Sequence, residues 1–395
     1  MPIPTPFYPR TSTLSESHEW SEWAGYLAAV TYEPTHDREY WAVRNAAGLL
    51  DVTPLFKYEI RGPEAERAVN RIMTRDVSRC RVGQVMYSPW CDEDGFVIDD
   101  GTVARLAPDR FRVTAADPNL RWFQDCSFGL DVEVVDVSRE LAALALQGPK
   151  SRDVLVAATG DSALAGLGYF RLAETHLADA PITVSRTGYT GDLGYELWMA
   201  PEHALAVWDR LLEVGRDYGL LPIGLAALDM VRIEAGLLLI EVDYISSHKA
   251  LIPAQKSTPF DIGLGWTVNL EKEAFVGQPA LVRAKAQGPT WSFVGLEIDW
   301  ISLEELFGKV DLPPQVTGRA SRSPIPIYRG GRQIGQVTSS VFSPILKKYV
   351  AIGTVEPKEA QPGSSVEIEI TVEYHRERAR ATLVRPPFFN RARTL

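Results

Sequence analysis

Three short stretches of the chain gather the residue types that do acid–base and binding chemistry. The first is Tyr87-Ser-Pro-Trp90-Cys-Asp-Glu-Asp-Gly95-Phe-Val-Ile-Asp99-Asp100-Gly101. Two adjacent carboxyl groups close an otherwise apolar strand. Side chains alternate across a strand, so Asp99 and Asp100 point to opposite faces and only one can meet an apolar pocket. A carboxylate held there is an acid/base or ion-pairing group. The competing reading is a surface hairpin with two solvated acids. The second stretch is Ser185-Arg-Thr-Gly188-Tyr189-Thr-Gly191-Asp-Leu-Gly194-Tyr195-Glu196-Leu-Trp198. Its glycines let backbone approach a ligand closely. Glu196 then enters an apolar strand, where an unpaired carboxylate is costly. The alternative is a Gly-rich hairpin with Glu196 in an ion pair. The third is Gly224-Leu-Ala-Ala-Leu228-Asp229-Met-Val-Arg232-Ile-Glu234-Ala-Gly236, where Asp229 and Arg232 stand one helical turn apart, a spacing usually put to structural use.

Composition narrows the class of chemistry. The chain has 395 residues and a net charge of −10, which disfavours a nucleic-acid partner, since phosphate neutralisation needs clustered Lys and Arg. A local Arg cluster can still reverse the field at one site for an anionic ligand. Cys80, Cys91 and Cys126 show no C-x-x-C spacing, and the histidines are scattered with no triad or ligand pattern. No metal is expected, and the cysteines read as reduced thiols of a cytoplasmic protein. The N-terminus, Met-Pro-Ile-Pro-Thr-Pro, lacks the basic and apolar regions of a signal peptide. No apolar run approaches the ~18 residues a membrane span needs.

The elements that must position these groups fall into three textures. Up to about residue 130, strands are expected at Asp51–Ile60, Met86–Trp90, Gly95–Ala104 and Phe111–Thr114, with helices at Asp37–Gly48, Pro63–Met73 and from Asn119. From Val132 the same grammar repeats, with strands at Val132–Val137, Ala142–Leu146 and Ile182–Arg186 and helices at Ser151–Ala158, Pro201–Tyr218 and Ala226–Ala235. The alternation lacks Gly-rich phosphate turns and indicates α+β layers, not a nucleotide-binding parallel sheet. After about Lys285 short strands dominate and Gly330-Gly331 marks a hairpin, which predicts a small antiparallel β-barrel. The expected domains are residues 1–130, 131–285 and 286–395.

Taken together and in order, these segments resemble the glycine cleavage T-protein (aminomethyltransferase) family from about Phe7 to Arg393. The most specific are Arg186–Leu197, Gly224–Gly236 and Gly335-Gln-Val-Thr-Ser-Ser-Val-Phe-Ser-Pro344. Weaker support comes from Gly48-Leu-Leu-Asp-Val52, Gly95-Phe-Val-Ile-Asp-Asp100, Leu146-Gln-Gly-Pro149 and Pro387-Phe-Phe-Asn-Arg391. The resemblance implies a three-domain cloverleaf around a funnel that admits tetrahydrofolate. It implies that Asp100 is the catalytic carboxylate near N5, that Glu196 reads the pterin N–H groups, and that Tyr87, Tyr189 and Arg391 line the cofactor site. Arg232 is carried as a further cofactor contact. Tyr32, Trp90, Tyr244 and His248 are candidate contacts to the one-carbon donor, with Tyr32, Tyr244 and His248 also candidate general acids. Asp99 is expected on the opposite face, with Asp99→Asn much milder in its effect on turnover than Asp100→Asn.

The chain also departs from the family pattern. Asp51-Val-Thr-Pro-Leu55 stands where Asp-Val-Ser-His-Met is usual, Ala227-Leu228-Asp229 where Ala-Arg-Asp is usual, and Gly101 where Leu follows the catalytic Asp. The segment from Glu241 to Lys256 is longer than the usual turn. These changes fall on the donor side. They fit the relatives that demethylate small S-, O- or N-methyl compounds better than a transferase that takes an aminomethyl group from a lipoyl arm. The expected activity is therefore methyl transfer to N5 of tetrahydrofolate, with the true aminomethyltransferase as the alternative. A non-catalytic folate-binding protein is a third reading, disfavoured because Asp100 is present and that group's Lys-Gly-Cys-Tyr-x-Gly-Gln signature is not found.

Overall fold

The computed structural model describes residues 1–390. A five-stranded antiparallel sheet runs in the spatial order Gln84–Cys91, Val97–Ala107, Arg110–Ala115, Phe56–Arg61 and Glu133–Asp136. The helices Ala65–Ile72 and Leu120–Cys126 cover one face and close a core around Tyr58, Trp90, Phe111 and Phe123. The other end of this sheet packs on the segment after the third motif, where Cys91 and Val97 meet Tyr244, Leu264 and Phe275.

A six-stranded sheet runs Leu172–Leu177, Ala180–Ser185, Gly194–Met199, Ala142–Gln147, Ala47–Asp51 and Leu220–Pro222, with only the last pair parallel. Its helices Ser151–Thr159 and Ala204–Gly215 bury Leu155 and Trp208 against Leu144 and Val184. Six strands from Ser292–Ile298 to His375–Val384 close an antiparallel barrel, as the strand texture predicts. The mixed α+β fold with a C-terminal barrel is thus the observed architecture.

The boundary expected at residue 130 does not follow the sheets. Ala47–Asp51 lies inside the six-stranded sheet between Ala142–Gln147 and Leu220–Pro222, so the chain enters the second layer first and leaves it for the first. The reason is that Leu49 and Leu50 are apolar on both faces of the strand and both are buried, which only an interior strand covered on both sides can satisfy. Glu133–Asp136, placed beyond the boundary, is the edge of the five-stranded sheet. The expected helix Pro201–Tyr218 is an α-helix only over Ala204–Gly215, with a single 3₁₀ turn at each end.

One carboxylate ties the second unit to the barrel. Glu234, fully buried at the end of helix Leu225–Glu234, accepts the Tyr40 hydroxyl at 2.6 Å, Arg44 at 2.5 Å and the barrel's Ser343 hydroxyl at 2.5 Å. A buried charge is tolerated only when paired and hydrogen-bonded, and this one is both. All three cysteines are buried thiols. Among the described residues no helix is long and apolar enough to cross a membrane.

Candidate active site

A cavity of about 1130 Å³ opens where the two sheets, helix Leu225–Glu234 and the barrel meet. It takes Tyr87 and Asp100 from the first sheet, Glu196 from the second, Tyr189 from the loop before that strand, and Phe293 from the barrel. Its size suits a drug-sized ligand with few polar contacts.

Asp100 sits on the strand Val97–Ala107 and faces this cavity. Its carboxylate accepts the Tyr87 hydroxyl at 2.7 Å and the Tyr244 hydroxyl, one phenol on each oxygen. Burial raises the Asp100 carboxyl above the usual range, and the Tyr244 and Tyr87 hydroxyls pull it part of the way back. Burial, followed by the field of Asp100, pushes both phenols well up, so they stay protonated donors. The glycine after Asp100 has a steric cause: a Cβ at Gly101 would lie 1.9 Å from the carbonyl oxygen of Thr114 on the neighbouring strand.

Asp99 does point the other way, but it is not solvated. It is fully buried, and Oδ2 accepts the backbone N–H groups of Ala116 at 3.1 Å and Asp117 at 3.0 Å and the amide of Asn119 at 3.0 Å. Oδ1 accepts the N–H of Asp100 at 2.7 Å. The surface-hairpin reading fails here because the strand is covered on both faces, and Asp99 is held by four N–H donors.

Glu196, on Gly194–Met199, faces the cavity with hydroxyl partners; among the described residues it forms no ion pair within 4 Å. Its Oε2 accepts the Thr187 hydroxyl at 2.6 Å. Burial raises its carboxyl, opposed by Thr187, Arg112 and Ser185. Arg112 lies over the Trp198 ring at 4.5 Å, and burial draws its guanidinium down to about 10. Two glycines of the loop serve packing more than ligand approach. A Cβ at Gly188 or Gly194 would stand 2.0 or 2.1 Å from Oε1 of buried Gln147, whose amide donates to the carbonyls of Thr187 and Tyr195 at 3.3 and 3.2 Å.

Tyr189 lines the cavity and gives its hydroxyl to the carbonyl of Leu238. Arg232 also borders it, yet its donors are committed: to Asp229 at 2.8 Å, Asp243 at 2.5 Å and Ser339 of the barrel at 2.8 Å. The i, i+3 pair is the structural one its spacing indicates, and Arg232 joins helix, loop and barrel.

Three donor-side candidates are placed elsewhere. Trp90 is fully buried, edge-on to Phe123, with its indole N–H on Asn119 at 3.1 Å; it is core, as an apolar strand interior demands. Tyr32 is buried beside Asp51 in a separate small cavity against the N-terminal strands. His248 is exposed, edge-on to Trp122, outside the large cavity. Only Tyr244 of that group reaches Asp100. Arg391 lies outside the described residues. The sequence reading missed Arg75 and Trp266, which border the cavity with Arg75 5.2 Å over the Trp266 ring. Neither belongs to a motif, and their meeting depends on the distant segment 260–270 folding back onto the first sheet.

With this geometry in hand, comparison with known proteins defines the family. Residues 11–272 match the GCVT N-terminal domain, and residues 314–390 match the Glycine cleavage T-protein C-terminal barrel domain. An aminomethyltransferase of Halothermothrix orenii is 35% identical over 90% of this chain and 91% of its own length. A trimethylamine-oxide aldolase of Ruegeria pomeroyi is 37% identical over 96% of this chain, which spans 46% of that longer protein. The crystal structure of glycine cleavage system aminomethyltransferase T from Bartonella henselae superposes with a TM-score of 0.83 at 26% identity, over 99% of each chain. The chain belongs to the glycine cleavage T-protein family and is an enzyme of the one-carbon transferase class.

Proposed function

We propose that the enzyme moves a methyl group from a small S-, O- or N-methyl donor to N5 of tetrahydrofolate. The observation that carries this reading is Asp100, clamped by Tyr87 and Tyr244 at the wall of a cavity that also presents the Glu196 carboxylate. The residues present suit a folate. Glu196 offers an acceptor to the N–H groups of a pterin edge, and Tyr87, Tyr189, Trp266 and Phe293 offer flat apolar wall. Tetrahydrofolate, when bound, supplies the nucleophilic nitrogen.

The chain's own residues do the rest. Glu196 orients the pterin by charge-assisted hydrogen bonding. Asp100, ionised and fixed by two phenols, accepts the proton that N5 sheds, and the enclosed cavity holds donor and acceptor in line. A sulfonium donor leaves neutral and needs no acid. For an oxygen or nitrogen leaving group, Tyr244 is the acid candidate in reach of Asp100. A relative named for a small N-methylated compound, the trimethylamine-oxide aldolase, matches nearly all of this chain, which spans 46% of that protein.

The second reading is an aminomethyltransferase, favoured by the names of several relatives and of the superposing crystal structure. One assay separates the two. Enzyme and tetrahydrofolate are incubated with a panel of small methyl donors and, in parallel, with aminomethylated lipoyl carrier protein. The products are then resolved by mass spectrometry. 5-Methyltetrahydrofolate from a small donor supports the first reading. Methylenetetrahydrofolate and ammonia from the carrier alone replace it with the second.

A further inference from the structure

Arg75 differs from two other arginines at the cavity, Arg232 and Arg322, in having no acid beside it. Arg232 is paired with Asp229 and Asp243, and Arg322 with Asp229. Arg75 forms no ion pair among the described residues. Its one side-chain hydrogen bond among the described residues runs from Nη1 to the carbonyl of Tyr87, at 3.3 Å. A guanidinium carries five N–H donors in a planar fork, so most of this one is left to the cavity. A partly buried cation with no acid beside it is costly to desolvate unless a ligand completes it. Burial accordingly pulls Arg75 below its ordinary value.

The surroundings complete a binding ledge. Trp266 is 65% exposed although it borders the cavity; Arg75 lies 5.2 Å over its ring, and the Tyr87 ring is 6.2 Å away and 24° from parallel to it. Tyr87 joins the two ends: its carbonyl takes Arg75 and its hydroxyl takes Asp100. A ligand held by Arg75 therefore sits one tyrosine's length from the proposed proton acceptor.

We propose that Arg75 and Trp266 form a carboxylate subsite of this cavity, which fixes an anionic end of a ligand whose reacting end lies at Asp100. The carboxylate belongs either to the one-carbon donor, which is then a carboxylated methyl compound, or to the glutamate tail of the folate. The inference rests on the folate-dependent reading above and deepens it. The guanidinium fork fits a carboxylate bidentately, and the indole face covers the apolar part that follows it.

The test measures binding by calorimetry for wild type, Arg75→Ala and Arg75→Lys, each first shown to melt cooperatively near the wild-type temperature. Two matched pairs of probes are used: tetrahydrofolate against tetrahydropteroate, which lacks the glutamate, and N,N-dimethylglycine against N,N-dimethylglycinamide. The wild type should prefer the carboxylate member of one pair. Arg75→Ala should weaken that member about 10- to 100-fold, leave its partner unchanged and so erase the preference, with Arg75→Lys in between. Loss in the first pair assigns the subsite to the folate tail; loss in the second assigns it to the donor. No carboxylate preference in the wild type, or a preference that survives in Arg75→Ala, overturns the subsite. Should tetrahydropteroate and tetrahydrofolate both fail to bind the wild type, it is the folate reading itself that falls.

Discussion

Asp99 and Asp100 are consecutive carboxylates that a single strand sends into two different kinds of pocket. Asp99 is closed in by four N–H groups, from Asp100, Ala116, Asp117 and Asn119. Asp100 is held by two phenol hydroxyls and opens on the cavity. The first ties Val97–Ala107 to the turn that begins helix Leu120–Cys126, and the second is left for chemistry.

Asp99→Asn is accordingly expected to damage the fold, not the reaction directly. An amide in its place turns an N–H group toward N–H donors. Hydrogen bonds to a charged group are worth about 1.5–3 kcal/mol each, and the loss should reach at least that range. Urea denaturation of wild type and variant measures it; a midpoint unchanged within error would mean the four donors do not depend on the charge.

Glu196→Ala should weaken tetrahydrofolate binding about 10- to 100-fold, from the loss of a charged acceptor for the pterin. Thr187→Ala, which removes the 2.6 Å hydroxyl partner of that carboxylate and leaves the carboxylate in place, should cost much less. Fluorescence titration of the two variants checks the order, and equal effects would assign the role to the loop and not to Glu196.

The pH profile carries the mark of the Asp100 clamp. Burial raises the Asp100 carboxyl above the ordinary carboxylate range, and only its ionised form accepts a proton. Activity should therefore fall as pH drops through that raised value, with an acid limb above the ordinary Asp range of ~4. Tyr244→Phe removes a hydrogen bond that lowers the value, so its limb should move to still higher pH. A limb unmoved in Tyr244→Phe would show that another group sets it.

The sequence foretold the layers and the barrel because burial periodicity writes itself locally. Phe293–Ile298 and Ala142–Leu146 fall within a residue of the observed strands Ser292–Ile298 and Ala142–Gln147. Leu172–Leu177, reading Leu-Ala-Glu-Thr-His-Leu at a sheet edge, went unseen, because a half-solvated edge strand carries little apolar signal. In the site, Asp100 and Glu196 were legible as carboxylates in apolar strands. Trp90, His248 and Tyr32 were misplaced because side-chain type says nothing of which face a neighbour covers. Arg75 and Trp266 were invisible for a further reason: they are 191 residues apart in the chain, and only tertiary packing brings them together.

The central claim is that Asp100 acts on the one-carbon transfer and not on folate binding. Asp100→Asn keeps the size and one acceptor oxygen but removes the charge. With the donor and product identified by mass spectrometry, turnover and tetrahydrofolate affinity are measured for wild type and variant. An interaction that strengthens only in the transition state lowers turnover and leaves affinity nearly untouched. The expected result is a ~10²–10⁴-fold loss of turnover with an affinity within a few-fold of wild type. Full turnover in Asp100→Asn, or a loss of affinity that matches the loss of turnover, would contradict the claim.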